Sequence, residues 1–213
     1  SGAKVLICIR EQVAALESAY RWLFARDMCV AGIDNWVARC MSNSFRLQQR
    51  RDFMLRQYQY AGLIAGYLEI FGPDRVCVLP VEILRNDLTG ASTIIADFLD
   101  LDRLPTVLAL SQAGKENQSL SWPASCYQRY VRRSRACLSR ISFLNLSPVN
   151  HLGLETEGWH GKITRHLSSQ VGWGVMSADS RRALLNEYYL DDNRKLQRHV
   201  NVDLTGLGYA LSE

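Results

Sequence analysis

The stretch that decides the fold is KVLICIR, residues 4–10, which leads into a helical pattern at Gln12. Residues 4–9 form a short, continuous apolar run rich in β-branched side chains, which predicts a strand buried on both faces. From Gln12 onward the period changes, because the apolar residues fall on one helical face: Val13, Leu16, Tyr20, Leu23 and Phe24. A strand that passes directly into a helix indicates an α/β unit.

The same order returns further along the chain. Residues 45–71 have helical periodicity, as two helices or as one interrupted near Gly62, and the sequence GPD at 72–74 ends it. The run RVCVLPV, residues 75–81, predicts a second buried strand, and a helix over residues 92–99 follows. Helix, Gly-Pro break, strand and helix predict an α/β fold with a parallel sheet.

The remaining sequence divides into connecting segments and two helices. Residues 27–44 have a mixed, loop-like pattern, residues 100–123 are expected to be connecting structure, and residues 142–177 are loop-rich. Helices are predicted over residues 125–141 and 178–198. Two strands are fewer than the sheet of an α/β domain of this length usually carries, so we expect further strands, either upstream of Ser1 or hidden in the pattern.

Composition fits one globular domain over residues 1–213 and excludes a disordered or fibrous chain, since 47% of residues are hydrophobic and 22% are charged. No apolar run approaches the roughly 20 residues of a membrane span. The six cysteines lack metal-binding spacing, which predicts a reduced, cytoplasmic protein without a metal. Of the 25 basic residues only four are lysines. This arginine richness suits an anionic ligand, or a nucleic-acid-binding protein as an alternative.

Arg10 and Ser18 are the most informative candidates for a binding site. Open α/β sheets bind ligands beyond the carboxyl ends of their strands, and Arg10 follows the first strand. Ser18 lies eight positions on, two turns into the helix, so a guanidinium and a hydroxyl could hold one phosphate from two sides. The alternative is an ion pair of Arg10 with a carboxylate such as Glu17, beside a solvated Ser18.

Several segments, in their order and spacing, resemble bacterial-type sulfotransferases that use 3′-phosphoadenosine 5′-phosphosulfate (PAPS). The first is KVLICIR with SAY at 18–20, similar to the strand and helix with which that family binds the 3′-phosphate. The others are YAG at 60–62 running to YLEIFGPDRVCVL at 67–79, VEIL at 81–84, FLDL at 98–101, YYLDDNRKL at 188–196, and DL at 203–204 with GY at 208–209. The likeness covers most of the chain and is weakest over residues 27–57 and 140–178.

The resemblance implies a three-layer fold with a short parallel sheet between helices, similar to P-loop kinases but lacking the P-loop strand. It implies transfer of a sulfuryl group from PAPS to a hydroxyl or amine of a small-molecule or glycan acceptor, leaving adenosine 3′,5′-bisphosphate (PAP), without a metal. Arg10 and Ser18 would bind the 3′-phosphate. Lys115, in GKENQS at 114–119, would lie in a loop over the same phosphate, or would be a solvated loop lysine.

Two departures from the family bear on activity. Glu11-Gln12 stand where the family has Asn or Asp and then Pro, which weakens the signal for the start of the helix. The family's 5′-phosphosulfate loop belongs well before the strand of Arg10, and we expect it upstream of Ser1; without it, transfer would be very slow or nil. The family's catalytic base, often His or Glu, also tends to lie early in the chain and has no assignment here. A non-enzymatic nucleotide-binding or partner-binding domain is therefore the alternative.

The predicted helix from Ser125 carries several arginines on one arc: Arg129, Arg132, Arg133 and Arg140. The opposite arc carries Tyr127, Tyr130, Val131, Leu138 and Ile141. This pattern is typical of an amphipathic helix, and the basic arc could also form one wall of a nucleotide or acidic-substrate cleft.

Overall fold

The fold is described by a computed structural model. It describes residues 2–29, 31–42, 54–112, 122–138 and 175–212. The chain divides into two compact units. The first contains Ser1–Ala15, Arg39–Asn117 and Ala178–Glu213, and the second contains Leu16–Ala38 and Gln118–Ser177.

The first unit contains a parallel sheet of two strands, β1 (Val5–Ile9) and β2 (Val76–Pro80). Their register pairs Val5 with Val76 and Ile9 with Pro80, so both strands end at the same edge of the sheet. Both predicted strands and their parallel orientation are confirmed. The prediction that they are buried on both faces is wrong for β1, where Ile9 is buried but Cys8 is exposed. A parallel strand is buried on both faces only where helices pack on each side, and the exposure of Cys8 indicates that no described helix covers it.

Residues 54–56 are helical, and nine further α-helices have both of their ends within the described residues. They are α1 (Gln12–Ala25), α2 (Ile33–Met41), α3 (Tyr60–Phe71), α4 (Val81–Asn86), α5 (Leu88–Leu99), α6 (Arg103–Gln112), α7 (Trp122–Leu138), α8 (Ala178–Leu184) and α9 (Leu190–Gln197). A π-helical turn, Leu185–Tyr189, joins α8 to α9. The described part is thus mostly helical around a small parallel sheet, which is broadly α/β.

The break after α3 is confirmed. Gly72 has a φ of 82°, a left-handed conformation that glycine adopts without steric cost, and its N–H donates to the Leu68 carbonyl at 2.9 Å. A 3₁₀ turn, Pro73–Arg75, then leads into β2. Helix α3 continues through Gly62, so the alternative of one helix interrupted there is wrong. Residues 54–56 are helical and residues 57–59 separate them from α3, which agrees with the alternative of two helices.

The loop-like segment and the connecting segment each contain a helix that the sequence pattern did not indicate. Residues 27–44 contain α2, which buries Ile33, Trp36, Val37 and Cys40 along one face. Residues 100–123 contain α6, whose Pro105 occupies the first turn, where a missing N–H removes no helical hydrogen bond. Leu104 and Leu108 of α6 are exposed, so burial does not mark this helix in the sequence.

The predicted helix over residues 178–198 is divided by the π turn. The sequence places Leu184, Leu185, Tyr188 and Leu196 on the apolar side, and the structure buries Leu184, Tyr189, Leu190 and Leu196. In an α-helix, residues four positions apart lie on the same face. In a π turn, which is wider, residues five positions apart lie on the same face. The π turn therefore moves the buried position from Tyr188 to Tyr189.

The core of the first unit fixes the carboxyl end of β1. Its fully and nearly fully buried side chains come from β1, α3, α9 and the C-terminal segment: Ile9, Tyr60, Ala61, Ile64, Leu196, Val200, Leu204 and Tyr209. The Asp192 carboxylate of α9 accepts the N–H groups of Tyr60 at 2.7 Å and Ala61 at 3.3 Å, which caps α3 from a distant part of the chain. Strand end, α3 and α9 are thus held together by packing and by hydrogen bonds.

Candidate functional site

The candidate site lies at the carboxyl end of the two strands, in the first unit. Ile9 pairs with Pro80, so Arg10 and Glu11 follow β1 at the edge where α4 follows β2. The expectation that Arg10 ends a strand and precedes a helix is confirmed. This is the edge at which open α/β sheets bind ligands.

Glu11 is the residue that starts α1. Its carboxylate accepts the N–H groups of Val13 at 3.1 Å and Ala14 at 2.7 Å, and its side chain is buried. Glutamate is not among the residues preferred at the N-cap of a helix, so the sequence gives only a weak signal for the start of α1. Its two hydrogen bonds nevertheless satisfy two backbone N–H groups that have no partner within the helix. Burial raises the pKa of Glu11, and the two backbone hydrogen bonds oppose that rise. Its carboxylate is therefore occupied by its own helix.

Glu82, in the first turn of α4, holds the β1 end against the rest of the unit. Its Oε1 accepts the N–H of Glu11 at 3.0 Å, and its Oε2 accepts the hydroxyl of Tyr209 at 3.4 Å. From α3, the hydroxyl of Tyr60 donates to the carbonyl of Arg10 at 3.0 Å. These hydrogen bonds therefore hold the backbone of Arg10 and Glu11 in place, and with it the starting point of the Arg10 side chain.

Arg10 itself is half-buried, and its Nε is buried with no hydrogen-bond partner in the part of the chain that the structure describes. Burial and the charge of Arg85 on α4 lower the pKa of Arg10, while the Glu82 and Glu11 carboxylates oppose this. Within the described ranges no carboxylate lies within 4 Å of Arg10, so an ion pair does not account for its guanidinium. Both neighbouring carboxylates accept hydrogen bonds from other donors, and neither lies within 4 Å of the Arg10 guanidinium.

Of the other predicted site residues, Ser18 lies half-buried in α1, in the second unit, and Lys115 lies outside the described residues. Glu17, the suggested partner of Arg10, accepts the N–H of Met176 at 3.0 Å and lies 3.8 Å from Arg21.

A groove of about 500 Å³ adjoins this edge of the first unit. It is lined by Ala178, Arg181, Arg182, Leu185, Asn186, Ala210 and Ser212. Arg181 of this groove lies 3.9 Å from Glu11, which links the groove to the start of α1. The sequence analysis quoted Tyr60 and Tyr209 in the family-like segments without a role at the site, and it gave no signal for Arg85 or Arg181. The contacts of these residues depend on the pairing of segments far apart in the chain.

No protein-family model, curated protein or solved structure matches this chain. Among the described residues, none of the helices is long and apolar enough to cross a membrane. Nor does the described part contain a group of three or more His, Cys, Asp or Glu side chains placed to hold a metal ion.

Proposed function

We propose that this protein is a PAPS-dependent sulfotransferase, which moves a sulfuryl group from PAPS to an acceptor hydroxyl or amine and releases PAP. The observation that carries the proposal is the Arg10 guanidinium at the carboxyl end of β1. It is partly desolvated, lacks an acceptor among the described residues, and has a second cation, Arg85, nearby. This is the position where the resemblance assigns the 3′-phosphate.

The charges around Arg10 support binding of a dianion. A phosphate monoester offers three oxygens to the fork of a guanidinium and compensates more than one positive charge. Glu11 and Glu82 lie close enough to act on the pKa of Arg10, but their carboxylates accept hydrogen bonds from other groups: the N–H groups of Val13, Ala14 and Glu11 and the hydroxyl of Tyr209. The guanidinium of Arg10, which has no carboxylate within 4 Å in the described ranges, could therefore donate hydrogen bonds to a phosphate.

In the proposed reaction the acceptor oxygen or nitrogen attacks the sulfur of PAPS. The new bond to sulfur forms as the bond from sulfur to the 5′-phosphate oxygen breaks, and its electron pair stays on PAP. A base takes the acceptor proton; we assign no residue to that role. Arg10, with Ser18 and Lys115 as the resemblance assigns them, would bind the 3′-phosphate and so position the nucleotide for in-line transfer.

The test is a calorimetric titration with PAP, its 2′,5′ isomer and 5′-AMP. The isomer carries the same charge as PAP, so it separates a shaped 3′-phosphate site from general attraction to arginines. We expect PAP to bind most tightly, and Arg10→Gln to weaken it about 10- to 100-fold, the value of charge-assisted hydrogen bonds. Arg103→Gln is the matched control, because Arg103 is exposed and paired with Asp97 at 2.7 Å.

Equal binding of PAP and its isomer, or equal affinity in Arg10→Gln and Arg103→Gln, would refute the 3′-phosphate site. The second candidate is a domain that binds the nucleotide without transferring the sulfuryl group. A native polypeptide mass of 24.2 kDa would favour it, because residues 1–213 contain no Gly-x4-Gly-Lys run. Release of PAP from PAPS in the presence of acceptors separates the two candidates.

A further inference from the structure

The second unit gathers four arginines around one aspartate. Asp27 follows α1 in a left-handed conformation, with a φ of 60°. From α7, Arg129 Nη2 reaches Asp27 Oδ1 at 2.9 Å, and Arg133 binds the same carboxylate with two nitrogens at 2.8 to 3.1 Å. Arg26 directly follows α1 and precedes Asp27, and Arg132 lies on α7 one turn after Arg129. The charge of Arg26 acts on Arg132, so these two arginines lie near each other beside the same helix.

Two of these arginines have structural partners. Arg129 is buried; besides Asp27 it donates to the Cys29 carbonyl at 2.9 Å, and its guanidinium lies 4.2 Å from the centre of the Phe24 ring. The hydrogen bond from Arg133 is the main cause of a lowered pKa of Asp27. The predicted polar arc of this helix is therefore wrong in part: Arg129 is buried, while Tyr130 is 70% exposed. Arg140 lies outside the described residues.

Arg26 and Arg132 have no such partners. The Arg26 guanidinium lies 3.6 Å from the centre of the Trp22 ring, and Arg132 Nε is buried without a hydrogen-bond partner in the described part of the chain. Burial, and then the charge of Arg26, lower the pKa of Arg132. Within the described ranges neither side chain has a carboxylate within 4 Å. Four guanidinium groups and one carboxylate leave this cluster at 4 − 1, a net charge of +3.

Placing a partly desolvated guanidinium near a second one costs free energy, and an anion that accepts from both would offset it. We propose that Arg26 and Arg132 bind the phosphate or sulfate group of a monoester ligand. A tetrahedral dianion offers enough oxygens and charge for both forks, whereas a carboxylate neutralises only one of them. Trp22 is half-exposed beside Arg26, so its ring offers an apolar surface to the organic part of the ester. This inference goes beyond the proposed function, because it uses none of the groups around Arg10.

The test measures thermal unfolding in the Arg10→Gln background, which removes the anion site proposed above. Inorganic phosphate and glucose 6-phosphate are the probes, each compared with chloride at equal ionic strength. We compare Arg132→Gln and Arg26→Gln with the matched control Arg103→Gln, which removes the same charge from an exposed arginine of the first unit. Phosphate also stabilises proteins by exclusion from their surface, but that effect is common to all variants.

We expect Arg103→Gln to gain about 2–4 °C more than Arg132→Gln at a probe concentration of roughly five times Kd. The exposed Arg26→Gln should lose the same gain, and glucose 6-phosphate should act at lower concentration than inorganic phosphate. In chloride, Arg132→Gln should unfold at the same temperature as the control or higher, because it removes an uncompensated charge. Equal gains in Arg132→Gln and Arg103→Gln, or no gain in the control, would overturn the proposal.

Discussion

A buried amide pair next to the candidate site gives the sharpest test of how the first unit is held together. Gln12 of α1 and Asn193 of α9 are both fully buried and hydrogen-bond each other, Gln12 Nε2 donating to Asn193 Oδ1 and Asn193 Nδ2 donating back to Gln12 Oε1. Asn193 Nδ2 also donates to the Ala210 carbonyl at 3.1 Å. The pair thus connects the start of α1, directly after Arg10, with α9 and the C-terminal segment.

The perturbation is Asn193→Leu. It removes three hydrogen bonds and leaves the buried Gln12 amide and the Ala210 carbonyl unpaired. Each unpaired buried group costs about 1–3 kcal/mol, so we expect a loss of about 3–5 kcal/mol from the free energy of unfolding. For a chain of this size that corresponds to a fall in melting temperature of about 6–20 °C.

The assay is urea unfolding of four proteins: wild type, Gln12→Leu, Asn193→Leu and the double variant. The double variant removes both amides and leaves only the Ala210 carbonyl unpaired, so it should be more stable than the sum of the single losses predicts, by about 2 kcal/mol. Asn86→Leu, at an exposed asparagine ending α4, is the matched control and should change stability by less than about 0.5 kcal/mol. Losses that add within about 0.5 kcal/mol would refute the buried pair as the source of the stability.

Two further predictions concern the carboxylates near the site. Glu82→Gln keeps an oxygen that can accept the Glu11 N–H and removes a negative charge close to Arg10, so it should tighten PAP binding about 3- to 10-fold; unchanged or weaker binding in the calorimeter would contradict this. Burial raises the pKa of Asp192, so the folded state takes up its proton at a higher pH than the unfolded chain does. Wild type should therefore gain stability relative to Asp192→Asn as the pH falls from 7 toward the unfolded value of 3.8, measured by urea unfolding at each pH; a difference that is constant with pH would contradict the assignment.

The strands and the glycine-proline break were predictable because their signals are local. A continuous apolar run predicts a strand, and Gly72 with Pro73 ends a helix wherever the rest of the chain goes. Helix α2 also has apolar residues at helical spacing from Ile33 to Cys40. The sequence pattern did not indicate it, because the helix is short and follows residues with a loop-like pattern. Helix α6 could not be found from amphipathicity, because none of its side chains is buried.

The candidate site was predictable only in part, for a related reason. Arg10 could be placed at a strand end from residues 4–10 alone. Glu82 accepts hydrogen bonds from the Glu11 N–H and the Tyr209 hydroxyl, which lie 71 and 127 positions away in the chain. Contacts over such distances cannot be predicted from a local pattern. Similarly, only the contacts of Asp27 with Arg129 and Arg133 show that, in the described ranges, Arg26 and Arg132 have no carboxylate partner.

The π turn between α8 and α9 makes this part of the chain sensitive to its length as well as to its side chains. Removing one residue from Leu185–Tyr189 would restore an ordinary helix and rotate everything after it by about 100° relative to α8. Asn193 would then turn away from Gln12, and Asp192 would leave the start of α3. The extra residue of the π turn thus sets the rotation of α9 relative to α8. With this rotation α8 lines the groove while α9 packs against the end of β1.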